Sequence, residues 1–252
     1  MVIRASSSGA ALFAVIVIVL GSAIFGAGAA SIVFALPVAA FCGGVLTSLL
    51  VYRFATVQGT TDVATMLLAG IAITAIAGAG LGILTFYADD EQLRTLTFWT
   101  MGSLGGVTWL QLLVAAPFML LPILIIPLFS PFLNAMLLGE AEAGHLGFQL
   151  QRSKLLLILL VSMAVGAAVS LSGVIGFVGL VVPHLVRLVA GPDHRFLLPA
   201  SALLGAIILL LADMLARTVV SPAELPIGII TAMLGGPFFL WLLNRRRRRV
   251  QF

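Results

Sequence analysis

The sequence predicts an all-α polytopic membrane protein of about eight membrane-crossing helices joined by short surface helices. Three observations predict it. Hydrophobic residues make up 62% of the 252 and charged residues only 9%, with a mean hydropathy of +1.23. A soluble domain is about a quarter charged. Apolar runs close to the ~20 residues that a span requires recur along the whole chain. Polar stretches between them are too short to build a separate soluble domain, so residues 1–252 form one membrane domain.

The first run, Ala10–Ala30, lacks the polar cleavage region of a signal peptide and is followed by further spans, so it belongs to the structure. Ala35–Phe54 and Val63–Tyr87 come next. Gly78 and Gly82 in the third run make a GxxxG, a spacing that lets helix backbones approach closely in lipid; a flexible pore-lining helix is the alternative. The acidic Ala88-Asp89-Asp90-Glu91 reads as a connecting loop. The fourth run, Trp109–Phe129, carries Pro117, Pro122 and Pro127, with Pro131 just beyond. Each proline removes a backbone donor, so this span is expected to kink.

Leu155–Leu171, Val174–Val189, Phe196–Leu215 and Ile227–Leu243 complete the set. Gly173, Gly176 and Gly179 recur every three residues and read as a second packing stripe. Pro183 disturbs the sixth span. Leu225-Pro226-Ile227-Gly228 reads as the entry to the last span, and Gly235-Gly236-Pro237 as a break inside it.

One stretch interrupts this pattern in mid-chain, Asn134–Lys154. It holds Glu140, Glu142, His145 and the chain's only lysine, Lys154, and is punctuated by Gly139, Gly144 and Gly147. It is too polar for lipid and too apolar for a solvated tail. It is expected to form a pair of short helices on the membrane surface that touch another protein.

Basic residues set the orientation. With both ends cytoplasmic, the inner segments carry Arg4, Arg53, Arg152, Lys154, Arg187, Arg195 and Arg245 to Arg249, against Arg94 and Arg217 outside. The central stretch then faces the cytoplasm. The net charge of +4 does not imply nucleic acid, because the densest basic run is a terminal anchor after an apolar span.

Chemical signatures are few. Asp213 and Arg217 lie four apart on one helix face, which lowers the cost of each charge near lipid. They read either as a structural ion pair or as charges facing a cavity. His184 and His194 are candidate haem or metal contacts, but no Cys or carboxylate cluster supports a closed metal site. Asp193, in Gly191-Pro192-Asp193, reads as loop structure. Cys42 has no cysteine to pair with inside the chain. The chain lacks GxxxxGK[ST], HExxH and G-x-S-x-G, so no catalytic residues are assigned and a conduit without its own energy source is the expected class. A secondary transporter would need a mid-membrane carboxylate for a coupling ion, and Asp213 has an arginine beside it.

The run Gly173 to Arg187, reading GVIGFVGLVVPHLVR, then Gly191-Pro-Asp-His-Arg195, resembles the permease subunits of ABC importers for iron–siderophores, haem and cobalamin, the FecCD-like family. So do Ala212-Asp213 with Ala216-Arg217, Glu224-Leu-Pro-Ile-Gly228 and the Thr231 to Phe239 run TAMLGGPFF. Leu138-Gly139-Glu140 with Ala143 and Leu146-Gly147 resembles the family's segment for coupling to the ATPase. The family fold has ten spans. Ser6-Ser7-Ser8-Gly9-Ala10 resembles the lead into the third, so the first two spans are expected to be missing here.

The resemblance implies a homodimer of permeases in the bacterial inner membrane, two cytoplasmic ABC ATPase subunits on the coupling segments, and a periplasmic substrate-binding protein at the outer face. Arg94 and Arg217 are then candidate docking residues, and His184, His194 and Met233 candidate contacts along the substrate path. No permanent cofactor is implied. The run Asp89 to Gly106, DDEQLRTLTFWTMGSLGG, and Ser221-Pro-Ala-Glu-Leu-Pro226 look most like haem permeases, with siderophore and cobalamin as alternatives.

Overall fold

The computed structural model describes residues 2–25, 29–57, 60–61, 63–220 and 225–250. Eleven helices are present among them: α1 (Val2–Phe25), α2 (Ala29–Ala55), α3 (Val63–Tyr87), α4 (Asp90–Met101), α5 (Trp109–Ile125), α6 (Ser130–Met136), α7 (Glu140–His145), α8 (Leu150–Ser172), α9 (Val178–Ala190), α10 (His194–Val219) and α11 (Ile227–Val250). A short 3-10 turn, Ile126–Phe129, joins α5 to α6. The only described strand pairing is the two-residue ladder Thr56–Val57 against Thr60–Thr61.

Six helical stretches among the described residues are long and apolar enough to cross a membrane: Arg4–Gly21, Ala35–Ala55, Ala64–Tyr87, Trp109–Met136, Leu150–Ser172 and His194–Val219. The sixth and eighth expected spans correspond to shorter apolar helices, Val178–Ala190 and Ile227–Leu242. Large exposed apolar side chains such as Leu68, Ile76, Leu113, Leu124, Leu203 and Leu210 cover the bundle's outside, as a lipid-facing surface requires.

The bundle holds together through small residues. Ala10, Ala14, Ala40 and Val169 form one buried cluster; Val15, Val19 and Leu96 form a second; Ala212, Ala216 and Ile227 form a third. Lipid tails are as apolar as leucine, so close van der Waals approach drives helix association. The crossing of α1 and α2 shows this. A Cβ on Gly43 would sit 2.5 Å from the Gly9 carbonyl oxygen. Buried hydroxyls stitch the same crossing, with Ser6 donating to the Gly44 carbonyl at 3.1 Å and Thr47 to that of Ala5 at 3.2 Å.

Several expectations change. Ser6 to Ala10 is helical, because α1 starts at Val2, well before Ala10. Gly78 and Gly82 face outward with nothing near a would-be Cβ, so that GxxxG packs nothing within this chain. Gly173, Gly176 and Gly179 are not a helical stripe, because α8 ends at Gly173 and α9 starts only at Val178. The sixth span is thus a 13-residue helix, about 20 Å long and short of the roughly 30 Å hydrocarbon core. Residues 174–177 supply the rest as irregular backbone, which membranes tolerate where it lines a protein cavity.

The fourth span does change character at its prolines, from α to 3-10 and back to α. Gly235-Gly236-Pro237 does not break α11, which is helical throughout. Gly235 instead makes room for Phe177, whose Cβ lies 2.5 Å from where a Gly235 Cβ would stand. Phe177 is the one non-glycine described with positive φ, 66°, at the entry to α9.

The acidic segment after α3 is not a plain loop. Asp89 caps α4: its carboxylate accepts from Gln92 N at 2.8 Å, and Gln92 Oε1 accepts from Asp89 N at 3.2 Å. Asp90 and Glu91 fill the first turn, where the helix dipole favours negative charge.

Candidate functional sites at the two ends of the bundle

The two ends of α10 mark two ends of the bundle: Asp193 at its start bonds Asn134, and Ala212 and Ala216 in its last turns pack on Ile227. At the end where α10 meets Ile227, the C-terminus of α4 is clamped from two sides. Ser103 N donates to the Ser172 carbonyl at 2.8 Å, and Ile227 N donates to the Gly102 carbonyl at 3.1 Å. A Cβ on Gly173 would overlap the Trp99 carbonyl oxygen, and one on Gly228 the Met101 carbonyl oxygen. Gly173 also has φ 69°, which favours glycine.

Two adjoining clefts open beside this clamp. One, of about 740 Å³, is lined by Leu36, Pro37, Arg94, Thr95, Phe98, Trp99, Ser103, Gly106, Thr108, Gln111 and Ser170 to Gly173. The other, of about 610 Å³, is mostly apolar, with Leu104, Trp109, Met119, Ile175, Val178 and Leu209 in its wall. Thr108, Leu171, Ser172 and Gly173 line both. The Arg94 guanidinium sits 5.9 Å above the Phe98 ring centroid. Arg217 pairs with Asp213 through Nε and Oδ2 at 2.9 Å, the i,i+4 pair that the spacing predicts.

At the other end lies the polar mid-chain stretch. It contains one complete short helix, α7, and the ends of α6 and α8. Gly139 (φ 112°) and Gly147 (φ 86°) make the breaks, whereas Gly144 is inside α7 and makes none. That is why a pair of short helices does not form between them.

Ala143 is the fully buried residue of α7, while Leu138 and Leu146 are 69% and 61% exposed on either side of it. Glu140 Oε2 pairs with Lys154 Nζ at 2.7 Å, tying α7 to α8. Phe148 packs edge-on against Phe132 with centroids 5.8 Å apart, tying the segment to α6.

A second polar cluster lies at this end, and the sequence pattern did not reveal it. Asp193 is the N-cap of α10, its carboxylate accepting from Arg195 N at 2.9 Å. Asn134, near the end of α6, donates from Nδ2 to Asp193 Oδ1 at 2.6 Å. Its own Oδ1 accepts from His194 N and lies 2.8 Å from His194 Nδ1. That ring contact requires a proton on Nδ1. These bonds hold the Asp193 carboxyl below its ordinary pKa, the Arg195 amide first and the Asn134 amide second. Asp193 followed by a helix is a readable cap signal; a partner 59 residues away is not.

The remaining candidates fall elsewhere. His184 lies edge-on to Phe238 with centroids 6.3 Å apart, and its buried Nε2 has no hydrogen-bond partner. His184, His194 and Met233 line neither cleft. Met233 is 71% exposed on α11. No group of three or more His, Cys, Asp or Glu placed to hold a metal occurs among the described residues. Ser221 to Glu224 lie outside the described residues.

Comparison with known proteins adds to this geometry. The pattern of the FecCD transport family matches residues 3–245. The chain is 50% identical over 213 residues to the hemin transport system permease protein HmuU of Yersinia pestis, covering 84% of this chain and 63% of that protein. It is 42% identical over 243 residues to the cobalamin import system permease protein BtuC of Halobacterium salinarum, covering 96% and 63%. The vitamin B12 import system permease protein BtuC of Vibrio cholerae is 43% identical over 208 residues, 82% of this chain and 62% of that one. A solved metal-chelate type ABC transporter in an inward-facing conformation superposes with TM-score 0.85 and 33% identity, over 96% of this chain and 75% of its own. The chain therefore spans a little under two thirds of the length of these curated relatives.

Proposed function

Because the chain belongs to the FecCD transport family, we propose that it is a transmembrane permease subunit of a binding-protein-dependent ABC importer, and that its cargo is haem. It is a multi-pass membrane protein, and the proposal sets it in the bacterial inner membrane with both ends of this chain cytoplasmic. A second permease copy, two cytoplasmic ATPase subunits and a periplasmic binding protein complete the importer. The permease provides the passage and the ATPase subunits hydrolyse ATP.

The observation that carries this reading is the separation of two differently built ends on one family-matched bundle. At one end a short helix, α7, is anchored to α6 and α8 and flanked by exposed Leu138 and Leu146. That arrangement suits a rigid lever for the ATPase, with Gly139 and Gly147 as its joints and Glu140 and Ala143 holding it down. At the other end the clefts beside α4 and the 173–177 backbone suit cargo delivered from a binding protein. Arg94 and Arg217 lie at that end and are proposed to meet its acidic groups.

Haem is favoured over cobalamin by the higher identity to a hemin permease, 50% against 42% and 43%. Its flat apolar face and anionic propionates also suit apolar walls with few cations. His184 and His194 are not assigned to it, since neither lines the clefts and the His194 ring is bonded to Asn134. The test is ATP hydrolysis by the assembled importer in lipid with its binding protein. Haem is expected to stimulate it. Stimulation by cobalamin or a ferric siderophore and not by haem overturns the cargo, and a permease that binds no ATPase overturns the class.

A further inference from the structure

We propose that Asn134 is a positioning residue that makes α10 the rod linking the coupling segment to the cleft, an inference that rests on the importer reading above. Asn134 uses its whole amide. Nδ2 donates to Asp193 at 2.6 Å, and Oδ1 receives His194 N at 2.8 Å with His194 Nδ1 also at 2.8 Å. One of these bonds reaches the first backbone amide of α10, and another the Asp193 carboxylate that itself caps the helix by accepting from Arg195 N, so α6 grips the helix start through its cap.

Both ends of the connection are anchored. On one side, α6 contacts the segment around α7 through Phe132 and Phe148. On the other, α10 runs 26 residues, about 39 Å, to the opposite end of the bundle. There Ala212 and Ala216 are buried against Ile227, with Leu104, Ile175 and Leu209 packed on them. Leu104, Ile175 and Leu209 are also wall residues of the second cleft. α10 is one continuous helix, with Pro199 in its second turn, so displacement at Asp193 is carried along it toward Leu209. Asn134 supplies the side-chain hydrogen bonds between α6 and α10.

The test is Asn134→Ala in the full importer, reconstituted in lipid with its ATPase and binding protein. The measured quantities are ATPase co-purification, basal ATP hydrolysis, and the stimulation and uptake driven by haem-loaded binding protein, with cobalamin-loaded protein if haem gives no stimulation in the unmodified importer. Co-purification and basal hydrolysis are expected to stay within about twofold, while stimulated uptake per ATP falls about tenfold. A purely structural role would lower all of them together. Uptake per ATP that is unchanged in a folded Asn134→Ala importer overturns the proposal. Where that variant is not recovered folded, His194→Phe keeps the backbone bond and removes only the ring contact; a roughly threefold loss of uptake per ATP supports the proposal and no loss overturns it. An unmodified importer that binds no ATPase refutes the function itself, which is a separate outcome.

Discussion

Lys154 Nζ lies 2.7 Å from Glu140 Oε2, yet the two side chains stand in different surroundings, the lysine 14% exposed and the glutamate 42%. The pair is therefore unequal. Removing the glutamate leaves a mostly buried ammonium without its counter-charge. Removing the lysine leaves a carboxylate that water already reaches. Breaking a pair from the buried side's partner is the costly direction.

Glu140→Gln is thus expected to destabilise the protein by about 1–3 kcal/mol, and Lys154→Met by less than about 1 kcal/mol. The double substitution should resemble Lys154→Met alone. Apparent melting temperatures of the purified protein in detergent provide the check. Equal losses from the two single substitutions would contradict the unequal burial.

Close backbone approach at α4 makes a second expectation. Gly173→Ala and Gly228→Ala each push a methyl into a carbonyl oxygen, of Trp99 and of Met101. Each should cost at least about 1–3 kcal/mol of overpacking, and Gly173 adds the strain of a positive φ. Gly82→Ala meets nothing and should be silent within this chain. Yield of folded protein and thermal stability distinguish the three. A stable Gly173→Ala protein would refute the clamp.

Acid should loosen the α6–α10 clasp. The folded-state pKa of Asp193 is lowered from 3.8 by the Arg195 and Asn134 bonds. A depressed carboxyl pKa contributes stability above its unfolded value and loses it as pH falls through the folded value. The contribution should therefore be constant from pH 7 to 5 and decline only below about 4. Asp193→Ala should abolish that acid-dependent part and lower stability through the lost helix cap; Asp193→Asn should keep most of the cap. Melting temperature against pH for the three proteins tests this.

Arg94 gives a docking prediction. It is exposed at the cleft mouth and its described contact is the Phe98 ring. Arg94→Glu should slow association of the proposed binding protein about tenfold at low salt and much less at high salt, as screening predicts. Asp213→Asn, which leaves Arg217 in place, should change it less. Surface plasmon resonance at two salt concentrations measures both. Association insensitive to Arg94→Glu removes it from the docking face.

The all-helical membrane architecture, the limits of α3, the entry of α11 after Pro226 and the Asp213–Arg217 pair were legible in the sequence. Each rests on local chemistry: apolar length, a proline without a donor, or charges one turn apart. The chain breaks at Gly139 and Gly147 were legible for the same reason, because a glycine at a break is a local signal. The spacing of glycines misled where it stood alone. Gly78 and Gly82 have a packing motif and no partner in this chain, whereas Gly9 and Gly43 do the packing from two different helices.

The sequence alone determined that this chain crosses a membrane several times, carries a polar stretch at its centre and has the motifs of the FecCD transport family, because hydropathy, charge and short motifs are properties of neighbouring residues. Only the tertiary structure decided that Lys154 is held by Glu140, that α9 falls short of a full span, that α4 is clamped beneath Gly173 and Gly228, and that Asn134 grips the start of α10. Those facts depend on which distant segments the fold brings within hydrogen-bonding or van der Waals distance, and no local pattern encodes that choice.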